Sequence, residues 1–295
     1  MSGEFLAILA ALAYGLAGVS IVRGKATARG DNGVFLSVVL TAFLSWFLWL
    51  GWGTVKPAEL ANPDGFTAIA IFALAGIFSN VLGRQSMYRA TEHVGAVQAG
   101  LLRRLTPLFA LPCAFLILNE LPGSSTLLGG ALILVGVLVY MRFPTATGTS
   151  GSRAGLILGT LSPLAYALAY TFRGLGLDHL PDAAFGSCVG AVVAAGWFLA
   201  VIVIRKGVQS GWHFITVDRS ARHIQTALAL TTGQLLQFFA LKTTTVVSVS
   251  VLGTLEVLFS ALIILLFTKC EPIAIKRLLI ASLLAMVGTA LVVQE

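Results

Sequence analysis

Residues Gly83–Pro122 read GRQSMYRATEHVGAVQAGLLRRLTPLFALPCAFLILNELP, and Gly233–Pro272 read GQLLQFFALKTTTVVSVSVLGTLEVLFSALIILLFTKCEP. At an offset of 150 residues Gly83 falls on Gly233, Ala90 on Ala240, Val97 on Val247, Phe109 on Phe259 and Pro122 on Pro272. Identities are few, but the apolar runs and the breaks between them coincide. One unit is therefore used twice, and it is too apolar to be dissolved in water.

The rest of the chain has the same character. Of its 295 residues 57% are hydrophobic and 11% charged, where a soluble domain carries about 25% charged residues. Mean hydropathy is +0.93. Lipid is the solvent such a surface fits. The net charge of +7 is spread between apolar runs, a pattern of juxtamembrane charge and not of a nucleic-acid-binding face. Cys113, Cys188 and Cys270 lie in or beside apolar segments without CxxC spacing and read as small hydrophobes. The leading Met1-Ser2-Gly3-Glu4 contains no Lys or Arg, so the first apolar run reads as a membrane helix and not as a signal peptide.

A membrane span needs about 20 apolar residues. Such runs fall near 4–22, 33–53, 66–88, 94–118, 125–142, 154–175, 183–204, 222–241, 245–268 and 275–293. The small, polar stretch Pro144–Ser152 splits them into halves of five, 1–143 and 153–295. Because five is odd, the second half starts on the opposite side of the membrane. The expected fold is an all-α membrane protein of ten transmembrane helices in two inverted five-helix repeats around a central cavity. Helix 1 carries LAYGLAG at Leu12–Gly18 and helix 6 LAYALAY at Leu164–Tyr170. In this frame fourteen Lys and Arg, Arg84 among them, fall on the side of the 1–2 loop, and three, Lys56, Arg173 and Lys242, on the other. The bias predicts that the first side is cytoplasmic and both termini are outside.

The ends of helices 4 and 9 carry an acidic-proline turn, Asn119-Glu120-Leu121-Pro122 and Cys270-Glu271-Pro272, each followed by a small-residue helix with a Val-Gly step, Val135-Gly136 and Val287-Gly288. In these features and in its two fives the chain resembles the EamA-type exporters of the drug/metabolite transporter superfamily, and within them the aromatic amino acid exporters. The resemblance implies export of small metabolites across the bacterial inner membrane through a central cavity. Helices 1, 3, 4, 6, 8 and 9 would line it and helices 5 and 10 would stand at the periphery. Family proteins are often drawn with cytoplasmic termini, opposite to the charge count here.

Charge inside a bilayer is costly, about 2.5–3.5 kcal/mol per residue on the insertion scale, so deep charges point to function. Arg103 and Arg104 lie about ten residues into helix 4, and Glu256 matches Thr106 in the repeat register. Glu256 is expected to pair with one of these arginines, as a static lock, a gate or coupling group, or to leave the other for a substrate carboxylate. Helix 6 presents Ser162, Tyr166, Tyr170 and Arg173 along one face, and helix 1 answers with Tyr14, Gly15 and Gly18. Helix 8 presents Thr231, Gln234 and Gln237, helix 3 Asn80, Arg84 and Tyr88, with Gln98 and Ser248 in the same layer. Amides and hydroxyls there either bond between helices or line a wet cavity. The substrate-binding candidates are Tyr14, Asn80, Tyr88, Gln98, Tyr166, Tyr170, Gln234, Gln237 and Ser248.

Pro107 and Pro112 in helix 4 and Pro163 in helix 6 invite kinks, and helix 4 is expected to bend more than helix 9, which lacks proline. Trp46, Trp49 and Trp52 read as an interfacial belt. The four histidines are scattered and form no metal motif. No GxSxG, HExxH, P-loop or nicotinamide fingerprint occurs. The reading is a secondary transporter of amino acids, of aromatic ones first, in a lipid bilayer, monomeric, with no cofactor and no nucleic-acid partner. A sugar-phosphate or nucleotide-sugar carrier is the alternative, and an intramembrane enzyme the alternative of another class.

Overall fold

In hydrocarbon the backbone of an uncharged run has no hydrogen-bond partner but itself, so each run closes into a helix. The computed structural model describes residues 2–96, 99, 102–141, 153–269 and 274–294. The linker 144–152, Gln98 and the turn 270–273 lie outside the described residues, as does the side chain of Arg104. Helix α1 spans Gly3–Lys25, α2 Val34–Trp52, α3 Pro63–Val94, α4 Thr106–Leu118 and α5 Ser124–Met141. In the second half α6 spans Arg153–His179, α7 Ala183–Lys206, α8 Ala221–Ala240, α9 Val246–Thr268 and α10 Ile275–Val293. Ser2 caps α1 by accepting from the Phe5 amide, and Asp182 caps α7 by accepting from the Phe185 amide.

Seven of these helices, α1, α2, α3, α6, α7, α9 and α10, are long and apolar enough to cross a membrane. The apolar stretches Thr106–Leu118 in α4 and Ser124–Gly136 in α5 are shorter. Helix α8 has 20 residues but carries His223, Thr226, Thr231, Gln234 and Gln237, all five buried.

The two halves pack on each other, not each on itself. Helix α1 lies along α8 and α9, α6 along α3 and α4, α2 along α7, and α5 along α10. Two crossings depend on glycine. A Cβ on Gly76 would sit 2.3 Å from the Gly190 backbone, and one on Gly288 would sit 2.5 Å from the Gly129 carbonyl oxygen. Bare backbone at these points lets α3 meet α7 and α5 meet α10 at the close range on which helix association in lipid depends. Leu128, Leu138, Leu283 and Met286 of α5 and α10 stay exposed.

The structure adds breaks in the helix-4 and helix-9 segments that the sequence reading did not place. Pro112 and Pro163 lie inside unbroken helical segments. Both the helix-4 and helix-9 segments break, and at register-equivalent places: a tight turn at Arg103–Leu105 precedes α4, and α9 is interrupted between Gly253 and Glu256. Proline is not the shared cause. Thr106 and Thr254 hydroxyls each bond at 2.6 Å to the carbonyl three residues back, on Arg103 and Val251, and such bonds compete with the helical ladder. Pro107 falls in the first turn of α4, where its missing N–H costs nothing. The charge count also needs correcting. Arg84 and Arg173 are not loop charges; they are 2% and 1% exposed, buried among helices. Removing both leaves thirteen basic residues against two, so the bias keeps its sign.

Candidate functional site

The two helix breaks face each other across α1 and α6. Glu256 stands in the first turn of the second part of α9, where the helix dipole favours a negative charge. Its Oε2 accepts from Arg103 Nη1 at 2.7 Å, with both side chains about 8% exposed. The same guanidinium lies 4.6 Å from the Tyr166 ring centre and 5.0 Å from that of Tyr14. Ring faces carry negative potential and suit a cation withdrawn from water. Met87 Sδ accepts from Nη1 at 3.3 Å, and Arg103 Nε has no hydrogen-bond partner among the described residues.

Beside this pair the Tyr14 hydroxyl donates to Gln237 Oε1 at 3.1 Å, and Arg173 Nη1 donates to the same oxygen at 3.3 Å. The Arg173 guanidinium sits 4.8 Å from the Phe238 ring centre and 5.9 Å from that of Tyr170. Both tyrosine rings of the LAY motifs lie on glycine. A Cβ on Gly233 would be 3.0 Å from the Tyr14 ring, and one on Gly83 would be 3.2 Å from that of Tyr166. Gly83 and Gly233 are the glycines that head the two aligned stretches.

Tyr14, Arg103, Tyr170, Gln237 and Glu256, with Thr106, Ser250, Gly253 and Thr254, line a cavity of about 10 Å³, room for one water. One helical turn along from Tyr170, Gln237 and Ser250 stand Gly174, Leu241 and Val246. With Glu120, Asp178 and Lys242 these line a second cavity of about 280 Å³. There the Val246 amide donates to Glu120 Oε2 at 3.0 Å, while burial, with Asp178 nearby, holds the Glu120 carboxyl above its ordinary pKa.

Arg84 anchors a separate polar cluster. Its Nη1 donates to Ser37 Oγ at 3.1 Å and Thr41 Oγ1 at 3.3 Å, and its Nη2 donates to Gln234 Oε1. Every one of these acceptors is neutral. Arg84 closes a widened turn of α3, Ile77–Arg84, of the kind that often marks functional sites. Thr41 and Thr231 hydroxyls bond at 3.0 Å in the same layer. The remaining buried acids, Asp182 and Asp218, sit at helix ends and accept backbone amides. Among the described residues the interior between the helices thus holds three guanidinium groups, Arg84, Arg103 and Arg173, and one carboxylate, Glu256.

Of the sequence candidates, Tyr14, Tyr166, Tyr170, Gln237, Arg103 and Glu256 come together in one cluster. Gln234 is engaged with Arg84. Asn80 donates to the Gly190 carbonyl at 3.4 Å and serves the α3–α7 crossing. The Tyr88 hydroxyl is buried and meets no hydrogen-bond partner of good geometry among the described residues. Ser248 is tied up in the α9 cap, its Oγ accepting from Thr245 at 2.9 Å. Gln98 and the Arg104 side chain lie outside the described residues. Sequence reasoning missed Arg84 and Arg173 as deep charges, although each stands inside an apolar run one step from a chosen candidate.

Residues 1–142 match the EamA-like transporter family. That match and the apolar helices indicate a multi-pass membrane transporter of small molecules. A protein of known crystal structure superposes on 99% of this chain and 98% of its own length, with a TM-score of 0.62 and 16% identity, a likeness of fold alone. No curated protein matches the chain.

Proposed function

We propose that this chain, whose first 142 residues match the EamA-like transporter family, is a secondary transporter working by alternating access. Its ten helices form two inverted halves, 1–143 and 153–295, monomeric in the bacterial inner membrane with both termini outside. Reciprocal packing supports the symmetry: α1 on α8 and α9 is answered by α6 on α3 and α4. Tyr14 on Gly233 is answered by Tyr166 on Gly83.

The observation that carries the reading is the Arg103–Glu256 pair, which joins the broken segments of the two halves at 2.7 Å. Substrate cavities measure about 300–1,000 Å³, and about 10 Å³ is present here. Loading therefore requires the halves to part. Separating α4 from α9 separates the pair, which makes Arg103 and Glu256 a gate. Tyr14, Tyr166, Tyr170 and Gln237 form the substrate walls. Rings and an amide suit a flat molecule with one polar end, aromatic amino acids and related metabolites among them. A sugar-phosphate carrier is the second reading, favoured by the extra buried cations Arg84 and Arg173.

Counterflow of labelled phenylalanine in proteoliposomes tests the proposal, with expected saturable exchange competed by tyrosine and tryptophan. Absence of saturable exchange for phenylalanine, aromatic acids and sugar phosphates alike overturns the carrier reading. Full exchange by Arg103→Ala/Glu256→Ala overturns the gate.

A further inference from the structure

The cluster is out of electrical balance. Glu256 is consumed by Arg103 at 2.7 Å. Arg84 is held by three neutral oxygens. Arg173 shares one amide oxygen with Tyr14 and otherwise meets ring faces. Arg103 lines the small cavity, is 7% exposed, and has an Nε donor without a partner among the described residues. Charges buried without counter-charges are among the costliest arrangements in a protein. Arg103 lines the cavity and Arg173 bonds to Gln237, which lines it; both are forked donors whose geometry fits carboxylate or phosphate oxygens.

We infer that the occupant of this site carries net negative charge: a small organic anion whose carboxylate or phosphate group lies between Arg103 and Arg173. This rests on reading the cluster as a substrate site. It narrows the substrate class from metabolites in general to anions. The ammonium of a zwitterion would need a carboxylate. Among the described residues lining the small cavity the one carboxylate, Glu256, is already paired with Arg103, and Glu120 and Asp178 lie in the larger cavity a helical turn away. A cation would face the guanidinium groups of Arg103 and Arg173. For molecules of one shape the order of affinity is anion, then zwitterion, then cation. The acceptor oxygen of Gln237 already faces Arg173, so an acidic side chain at that position would take the anion's place.

The test is equilibrium binding to the full-length protein purified in detergent, followed by isothermal calorimetry. The ring-matched probes are 3-phenylpropionate, phenylalanine and phenethylamine, with benzyl phosphate and pyruvate as further anions. At least one anion is expected to bind about tenfold or more tightly than phenylalanine, and phenethylamine weakest. Gln237→Glu and Arg173→Gln should each remove that preference, while Arg173→Lys keeps part of it. Binding of phenylalanine as tight as the anions, absence of binding by all anions, or an unchanged anion affinity in Gln237→Glu overturns the inference. Phenylalanine counterflow without anion preference refutes this inference and leaves the carrier reading intact. Anion binding without counterflow of any probe does the reverse.

Discussion

Replacing Glu256 by Gln keeps the shape of the side chain and removes its charge. In the wild type Arg103 has a carboxylate at 2.7 Å and two ring faces within about 5 Å. Breaking a buried pair by removing one partner costs about 3–5 kcal/mol. The Gln oxygen keeps one neutral hydrogen bond, which returns about 1 kcal/mol. The rings still face the cation. The net loss expected is about 2–4 kcal/mol of stability. Reversible unfolding in mixed micelles, followed by tryptophan fluorescence, reads it directly. A double variant, Arg103→Met with Glu256→Leu, removes both charges together and should recover to within about 1.5 kcal/mol of wild type. Arg103→Met alone should be destabilised like Glu256→Gln. If Glu256→Gln unfolds within about 0.5 kcal/mol of wild type, the pair is not desolvated and the gate argument loses its energetic basis.

Gly76→Ala would put a Cβ 2.3 Å from the Gly190 backbone and force α3 and α7 apart. Such overpacking costs about 1–3 kcal/mol, read as a lower melting midpoint in detergent. Gly196→Ala, where a Cβ meets nothing within 4 Å, should melt like wild type. Asp218 accepts the amides of Arg29, Gly30 and Asn32 at 2.6, 3.0 and 2.6 Å. Asp218→Ala should therefore speed hydrogen exchange across residues 29–32, while unchanged exchange would deny the clamp. Asp31, in the same loop, has its carboxyl raised from 3.8 to about 6, chiefly by burial and also by Asp218. A folded-state pKa above the unfolded one means that ionisation opposes folding. The contribution is full below about 3.8 and is lost as pH rises through about 6. Asp31→Asn, which keeps an acceptor for one of the Gly33 and Phe35 amides and loses that for the other, should lower stability and flatten its profile between those values, measured by melting at stepped pH.

Periodicity and composition are local properties, and they made much of this chain legible. Apolar runs became helices because lipid leaves the backbone no other partner. The 150-residue register paired Gly83 with Gly233, and the structure seats a tyrosine ring on each. Glu256 and Arg103 stood out because a charge far from the end of an apolar run demands a partner. Arg173 and Arg84 fell on the polar faces of helices 6 and 3 in sequence but were counted as charges at the membrane sides. They lie nearer the ends of their runs, and only the packing of α2 and α8 around them decides that they are buried. Gln234 and Gln237 share a face of α8 in sequence, yet one binds Arg84 and the other Tyr14 and Arg173. The break in α9 has no proline to announce it, and a threonine hydroxyl bonds back on its own helix there. Sequence by itself determined which segments are helices and which residues are too polar for lipid. Tertiary structure alone decided which polar groups meet, because that depends on how each helix is rotated against its neighbours, which no single segment encodes.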